Sequence, residues 1–221
     1  MSSRGAFITF EGGEGSGKST QLRTLARRLE TAGVPVRVLR EPGGTAVGEA
    51  VRTLLLDPEH VGLDATAELL LYEASRAQLV ADVIEPALEA GETVLCDRFF
   101  DSTTAYQGHA RGLSLDRIRE LNTIATNGLV PDRTVVLDVD PALGIERATR
   151  HGADRLEGES LVFHAAVRAG FLAIAAEEPD RVRVVDASGT TAEVAERVSA
   201  ALADLPALRE ALACPAASLT T

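Results

Sequence analysis

Lysine is nearly missing from this chain of 221 residues, in which Lys18 is the single lysine among 22 lysine and arginine side chains. Tryptophan is absent and aromatic residues make up only 4% of the chain, so a packed core has to be aliphatic. There are only two cysteines, Cys96 in an apolar run and Cys214 near the end. Two such cysteines give no disulfide framework, as expected in a reducing compartment.

Positive charge is scarce overall, because the formal net charge is −11 at pH 7. Nucleic acids are held largely through neutralised phosphates, so this charge argues against a nucleic-acid partner. A phosphorylated ligand would have to be held by a local cluster of arginines. The chain has no run of 18 apolar residues and no charged-then-apolar signal segment. We therefore expect no membrane partner and a cytoplasmic location.

Apolar, β-rich runs alternate with helical patterns along most of the chain. This alternation predicts an α/β fold, with a parallel sheet of about five strands, helices on both faces and ligands at the carboxyl ends of the strands. The runs span residues 6–10, 36–39, 93–96, 134–139 and 182–185. The length fits a single domain, which we place at 1–205, followed by an Ala-rich tail at 206–221 that we expect to be disordered.

The most specific motif is a glycine-rich loop between a strand-like run and a helical pattern. Residues 12–19 match G-x-x-x-x-G-K-[ST], the phosphate-binding loop of P-loop NTPases. Free N–H groups and the dipole of the next helix attract phosphate, Lys18 reaches the β- and γ-phosphates, and Ser19 can place a hydroxyl on Mg²⁺. The residues that we expect to bind nucleotide are Gly12, Gly13, Glu14, Gly15, Ser16, Gly17, Lys18, Ser19 and Thr20.

Two further segments carry charge just after predicted strands. Asp97 and Arg98 follow the third run, where the aspartate can bind Mg²⁺ or orient an attacking phosphate and the arginine can face a substrate cleft. The alternative is an aspartate that caps the next turn beside a solvated arginine. The segment 40–45, with two glycines, lets the backbone approach a ligand closely, and Arg52 lies beyond it. This second pattern is weaker, since a surface loop would share it.

An arginine-rich stretch follows the fourth run. Arg147, Arg150 and Arg155 surround a glycine, a pattern that is typical of a mobile lid, here at about 145–157. Such a lid closes over transferring phosphates and supplies positive charge in the transition state. A plain charged helix end is the alternative.

These four segments, in this order, resemble the thymidylate kinase family, which phosphorylates dTMP with ATP. The resemblance spans roughly residues 5–205. Residues 10–20 look like the family's phosphate loop, and R-E-P-G-G-T at 40–45 matches its bacterial signature. D-R-F at 97–99, followed by A-Y-Q-G, is similar to the substrate loop, in which tyrosine usually stands where this chain has Phe99.

The resemblance implies residues that hold the dTMP base and phosphate. Tyr72, which stands where phenylalanine is common, would stack on thymine, Arg76 would donate to O4, and Gln107 would contact the base edge. Arg52 and Arg98 would hold the phosphate. The substrate-binding set implied in this way is Glu14, Glu41, Arg52, Tyr72, Arg76, Arg98, Thr103, Tyr106 and Gln107.

The resemblance also implies roles at the sugar and in the lid. Glu14 would lie near the 3′-hydroxyl, and Tyr106 would crowd the 2′ position and favour deoxyribose. Because the phosphate loop has no arginine before Lys18, Arg150 or Arg155 would supply the catalytic arginine. Arg147 would face adenine, and the chain would form a homodimer through its helices.

The implied reaction is direct, in-line transfer of the γ-phosphoryl group of Mg·ATP to dTMP. Catalysis would come from positioning and charge neutralisation by Lys18, Asp97, Arg98 and the lid, with Mg²⁺ held by Ser19 and Asp97. One alternative is a kinase for another nucleoside monophosphate, and a second is a P-loop ATPase or GTPase switch. A GTPase would be expected to carry N-K-x-D, which a chain with Lys18 as its only lysine cannot contain.

Overall fold

The architecture is a five-stranded parallel sheet, seen in a computed structural model that describes residues 4–57, 59–60, 62–149 and 155–213. The strand order is β2-β3-β1-β4-β5. The strands are β1 (Phe7–Glu11), β2 (Val36–Arg40), β3 (Thr93–Asp97), β4 (Arg133–Asp138) and β5 (Val182–Asp186). Each lies within one residue of the run from which it was predicted, and the predicted α/β class is confirmed.

Helices connect the strands, as parallel pairing requires. Two π-helical turns, Val80–Ile84 and Thr104–Ala110, continue the third and fifth helices. The α-helices are α1 (Lys18–Thr31), α2 (Ala46–Leu56), α3 (Ala65–Leu79), α4 (Glu85–Glu89), α5 (Phe100–Thr103), α6 (Leu115–Ala125), α7 (Pro141–Ala148), α8 (Leu161–Glu177), α9 (Thr191–Leu202) and α10 (Arg209–Ala213).

The central strand shows why both faces of the sheet are covered. Successive side chains of a strand point to opposite faces, and every residue of β1 is buried. Ile8 and Phe10 pack with Leu22 of α1 on one face. Phe7 packs with Leu79 and Ile84 on the other. A sheet buried on both sides leaves only its strand ends available to a ligand, which fixes where the site lies.

The packed domain extends beyond residue 205. Leu208 and Leu212 are buried in the core beside α1, and Arg28 Nη2 donates to the Leu212 carbonyl at 2.7 Å. The expectation of a disordered tail was therefore wrong for residues 206–213, because their apolar side chains complete the core. Residues 214–221, which include Cys214, lie outside the described residues. Within the described part of the chain, no helix is long and apolar enough to cross a membrane.

Candidate active site

The carboxyl ends of β1 and β3 open into a cavity of about 460 Å³. The chain leaves β1 through the glycine-rich loop, and it leaves β3 through Asp97 and Arg98. The cavity therefore brings together candidates from each predicted segment. Those that line it are Glu14, Gly15, Gly17, Lys18, Ser19, Thr20, Glu41, Arg52, Tyr72, Arg76, Asp97, Arg98, Thr103, Tyr106, Gln107 and Arg147.

The glycine-rich loop is held tightly against α7. Gly15 has a positive φ of 62°, and a Cβ at this position would lie 2.0 Å from the Gly144 carbonyl oxygen. A larger residue would thus be strained by its backbone and would collide with the helix. The loop leads directly into α1, whose first residue is Lys18. The N–H groups of the loop therefore lie at the positive end of the α1 helix dipole. This arrangement binds phosphate.

Lys18 folds back over its own loop. Its Nζ donates to the carbonyls of Gly12 at 3.1 Å and Gly13 at 2.7 Å, and to Ser16 Oγ at 3.4 Å. Burial and the nearby Arg98 lower the pKa of Lys18 to about 8, although neighbouring carboxylates oppose the shift. Anionic phosphate in the cavity would favour the charged ammonium. The geometry thus holds a poorly compensated cation where a phosphate can pair with it.

Ser19 and Asp97 offer two oxygen atoms to a metal ion beside the loop. Ser19 Oγ donates to Asp97 Oδ2 at 2.5 Å, across 78 positions of sequence. Mg²⁺ prefers oxygen ligands, is held through one or two side chains, and completes its shell with water and substrate phosphates. The described residues contain no cluster of three or more metal-binding side chains, and this pair needs none. These two oxygen ligands therefore fit a Mg²⁺ ion that arrives with a nucleotide.

Arg98 reaches across the cavity to the phosphate loop. Its φ of 70° is unusual for a residue with a side chain. The guanidinium donates to the Gly12 carbonyl at 3.2 Å and to Glu14 Oε1 at 2.6 Å. Tyr106 Oη donates to the same Glu14 oxygen at 2.7 Å. Burial alone would raise the pKa of Glu14, but Arg98, Lys18 and the Tyr106 hydroxyl outweigh it and lower the pKa to about 2.

Glu11 supports the turn that carries Arg98, a role that sequence reasoning missed. Glu11 is fully buried at the end of β1. It accepts hydrogen bonds from Phe99 N at 2.7 Å, from Ser102 N at 3.3 Å and from Ser102 Oγ at 2.5 Å. Burial, together with the charge of Asp101, raises its pKa to about 8. An acid at the end of an otherwise apolar strand is the sequence signal that could have found it.

Arg76 sits in a buried ionic network at the other end of the cavity. It is only 1% exposed. Its guanidinium pairs with Glu41 at 2.8 Å and with Glu73 at 3.0 Å, and it donates to Asn122 Oδ1 at 3.2 Å. Burial raises the pKa of Glu41 to about 7 even though Arg76 opposes the shift. Of these partners, Glu73 and Asn122 were not predicted.

Phe99, one of two positions that depart from the family pattern, has a structural role. The Phe99 ring is completely buried and meets the Phe7 ring edge-on, with ring centroids 4.9 Å apart. The Arg76 guanidinium lies 5.4 Å from the Phe99 ring centre. A phenyl ring therefore fills this site by packing and supports Arg76 without a hydroxyl group.

Three further candidates, Arg52, Gln107 and Thr103, differ in their hydrogen bonds. Arg52 Nη1 donates to the Pro42 carbonyl at 3.1 Å, and Gln107 Nε2 donates to Glu68 Oε1 at 2.8 Å. Thr103 Oγ1 is buried with no hydrogen-bond partner among the described residues. Thr103 lines the cavity, although the oxygen atom itself is buried.

The predicted lid is only partly brought to the site. Arg147 lies on α7 and lines the cavity. Arg155 does not line it, since its guanidinium donates to Glu68 Oε2 at 2.5 Å and to the Leu55 carbonyl at 2.8 Å. Arg150 lies outside the described residues. In this arrangement the Arg155 guanidinium contacts Glu68 and Leu55 and donates to no described residue of the phosphate loop.

Comparisons with known proteins show which family this sequence resembles. A family model for thymidylate kinase matches residues 10–198. The chain is 54% identical to a thymidylate kinase of Deinococcus radiodurans over 203 residues, which cover 91% of this chain and 98% of that one. It is 52% identical to a thymidylate kinase of Solidesulfovibrio magneticus over 200 residues, 87% of this chain and 96% of the relative.

A solved structure of a thymidylate kinase also matches this chain. The crystal structure of thymidylate kinase from Ehrlichia chaffeensis superimposes with a TM-score of 0.69 at 39% identity, covering 82% of this chain and 93% of that chain. The matches span the phosphate loop, the cavity and the helices around them. By its sequence, its fold and its site, this chain belongs to the thymidylate kinase family.

Proposed function

We propose that the chain phosphorylates dTMP by direct, in-line transfer of the γ-phosphoryl group of ATP, giving dTDP and ADP. One observation carries the proposal: a phosphate loop and a separate pocket of arginine and aromatic side chains open into the same cavity. The phosphate group of a nucleoside monophosphate is already an anionic nucleophile. The protein has to position two phosphates and neutralise their charge, and no covalent intermediate is required.

The donor nucleotide binds through the glycine-rich loop. Lys18 exchanges its contacts with Gly12 and Gly13 for the β- and γ-phosphates. Ser19 and Asp97 would hold Mg²⁺, which would supply charge neutralisation at the phosphate oxygens. Arg147 faces the same nucleotide from α7.

The acceptor binds on the opposite side of Lys18. Arg98 and Arg52 hold the dTMP phosphate, and the left-handed backbone at Arg98 directs its side chain toward the loop. Glu14 contacts the sugar 3′-hydroxyl. Tyr106, anchored by its bond to Glu14, lies against the 2′ position, where a ribose hydroxyl would collide with it.

The base is read by the buried part of the cavity. Tyr72 stacks on the ring, Arg76 donates to O4, and Gln107 contacts the base edge. Glu41 and Thr103 complete this subsite. Arg76 is held by carboxylates on two sides, so its direction is set before the substrate binds, which lowers the ordering cost of recognition.

The catalytic arginine of the lid is assigned to Arg150 or Arg155, as the family pattern implies. The contacts of Arg155 with Glu68 and Leu55 favour Arg150 for the role at the phosphates. We also propose a cytoplasmic homodimer. Support for the dimer comes from α2 and α3, which leave large apolar side chains exposed, namely Val47, Leu54 and Leu70.

The test is the release of ADP from Mg·ATP with and without dTMP. The proposal expects release that depends on dTMP, with dTDP formed in equal amount. An ATPase switch protein would release ADP at the same rate without an acceptor, and this outcome would overturn the proposal. A kinase for a different monophosphate would show the dependence with another acceptor, so the assay includes each of the common nucleoside monophosphates.

A further inference from the structure

Glu68, which has no role in the mechanism above, is a meeting point of the base subsite and the lid. It lies in the first turn of α3 and is fully buried. Gln107 Nε2 donates to Oε1 at 2.8 Å, and Arg155 Nη2 donates to Oε2 at 2.5 Å. Arg111 donates to both oxygens, with Nε at 3.1 Å from Oε1 and Nη2 at 3.2 Å from Oε2. One carboxylate thus joins three elements.

The charge of Glu68 determines how the Gln107 amide points. Burial alone would raise the pKa of Glu68, but hydrogen bonds from Arg111, Gln107 and Arg155 outweigh it and lower the pKa. An ionised carboxylate only accepts hydrogen bonds, so it has to face the amide nitrogen of Gln107. The amide oxygen then points away from Glu68, and none of the described residues donates to it.

That orientation bears on which base the cavity accepts. Gln107 lines the cavity, so its amide oxygen offers an acceptor to a base edge. Thymine presents an N3–H donor on its Watson–Crick edge, whereas N3 of cytosine is itself an acceptor. An amide that is free to rotate could hydrogen-bond to either base. When Glu68 holds the amide nitrogen, the amide oxygen of Gln107 faces N3 of cytosine, and two acceptors then repel each other.

The same carboxylate fixes the chain at the far side of the lid. The side chain of Arg155 is 12% exposed and that of Glu68 is 1% exposed, so their ion pair is largely shielded from water. Arg155 Nε also donates to the Leu55 carbonyl at 2.8 Å. Breaking such a pair leaves a buried charge without compensation, which is costly. Arg155 is therefore an anchor in this arrangement.

We propose that Glu68 is a positioning residue for dTMP phosphorylation, which orients the Gln107 amide toward the base and anchors Arg155. The first part rests on the base subsite proposed above. It assigns Glu68 a part in selecting thymine, although Glu68 does not touch the substrate. It also assigns Arg155 to the support of the lid and leaves phosphate contact to another arginine.

The first test measures kcat/KM for dTMP and dCMP with Glu68→Gln. The substituted amide can present either a donor or an acceptor to Gln107, so we expect the dTMP-to-dCMP ratio to narrow by about 10-fold or more. The fall in kcat/KM for dTMP should come mainly from a higher KM. Both substrates are assayed on the same preparation, so partial unfolding cancels in the ratio. If Glu68→Gln does not fold, Glu68→Asp tests the same contact, because the shorter carboxylate no longer reaches Gln107 Nε2 and the ratio should again narrow.

The matched control is Glu159→Gln, which removes a carboxylate from the outer end of the network. Glu159 pairs with Arg111 at 2.8 Å, and we expect the ratio to stay unchanged. Gln107→Leu separates the two proposals. If it leaves KM for dTMP unaltered, the base subsite is wrong. If Gln107→Leu narrows the dTMP-to-dCMP ratio of kcat/KM while Glu68→Gln leaves that ratio unchanged, the role proposed for Glu68 is wrong.

The second test is a double-mutant cycle on kcat/KM. If Arg155 acts through Glu68, the double variant Glu68→Gln with Arg155→Met should be no worse than the more damaged single variant, within about 3-fold. Multiplied losses would contradict the anchor role. As a control, Glu68→Gln combined with Arg147→Ala should show multiplied losses, because Arg147 faces the donor side of the cavity.

Discussion

The two halves of the cavity are assembled in different ways. The half that we assign to the donor phosphates is built around one contiguous loop, in which Lys18 reaches the Gly12 carbonyl only six positions away, and Asp97 joins this loop from the end of β3. The half that we assign to the base depends on side chains that are distant in the sequence. Arg76 meets Glu41 at 35 positions and Asn122 at 46 positions along the chain. The local half recognises a feature that all nucleoside triphosphates share, and the distant half is where one base can be selected.

This difference has an energetic side. The phosphate loop uses backbone N–H groups and one ammonium, so its strength is expressed when phosphate binds. The base half uses buried ion pairs, whose desolvation is compensated only while every partner is present. Damage to the loop should therefore cost catalysis without costing stability. Damage to the base half should cost both.

Replacing the ammonium of the loop should have the largest effect on rate. We expect Lys18→Met to lower kcat/KM by about 10³-fold or more, because it removes charge that stabilises the transferring phosphoryl group. Thermal unfolding should occur at the same or a higher temperature, since the buried ammonium has a lowered pKa and is poorly compensated. Steady-state kinetics and a melting curve on the same preparation measure both. A variant with full turnover would disprove the loop assignment.

Breaking the base half should cost stability as well as binding. Arg76→Met leaves Glu41 and Glu73 buried without their partner, and we expect a loss of about 3–5 kcal/mol in the free energy of unfolding. KM for dTMP should rise, while KM for ATP should change little. Urea titration and kinetics make the comparison.

Arg37→Met is the control for Arg76→Met. Arg37, on β2, forms a bidentate pair with Glu92. The pair is exposed to solvent, so its loss should change stability little. Equal destabilisation by the two variants would contradict the distinction between the halves.

A smaller effect should follow from pH. The pKa of Lys18 is lowered to about 8 in the free protein, and bound phosphate favours the charged form. Above pH 8, ATP binding then requires the uptake of a proton, so KM for ATP should rise by at most about 10-fold per pH unit. Below pH 8, this group should cause no change. KM for dTMP should rise less over the same range, because the arginines that we assign to its phosphate stay charged. A flat KM for ATP up to pH 10 would contradict the role of Lys18.

The local half is also the half that sequence reasoning could predict. Strand, loop and helix are consecutive, so G-x-x-x-x-G-K-[ST] and its apolar flanks were enough to place Lys18 and Ser19. Asp97 and Arg98 followed from the rule that ligands bind where parallel strands end. The five strands were found for the same reason, because each is an uninterrupted apolar run.

The distant half could be reached only in part. The family pattern indicated Tyr72, Arg76 and Gln107 as candidates for the base, but it did not indicate most of the residues that hold them. Glu68 lies 39 positions from Gln107 and 87 positions from Arg155, and no spacing in the sequence links them. A buried carboxylate on a helix looks the same in sequence as a solvated one.

The tail and the lid show the same limit. Leu208 and Leu212 belong to an Ala-rich segment with little periodicity, and their burial depends on the surface that α1 presents to them. Likewise Arg155 stands in an arginine-rich stretch that is typical of a lid. Whether such an arginine faces phosphate or a carboxylate is decided by tertiary structure.

The most direct test of the central claim, that the distant half selects thymine, is kcat/KM for a panel of monophosphates with Mg·ATP held constant. We predict dTMP first and dUMP about 10- to 200-fold lower, since one methyl contact is lost. For dCMP, dGMP and UMP we predict lower values still, because they present mismatched polar groups or a 2′-hydroxyl against Tyr106. Equal efficiency with dCMP or dGMP would contradict the claim and leave only a nucleoside monophosphate kinase of broader specificity.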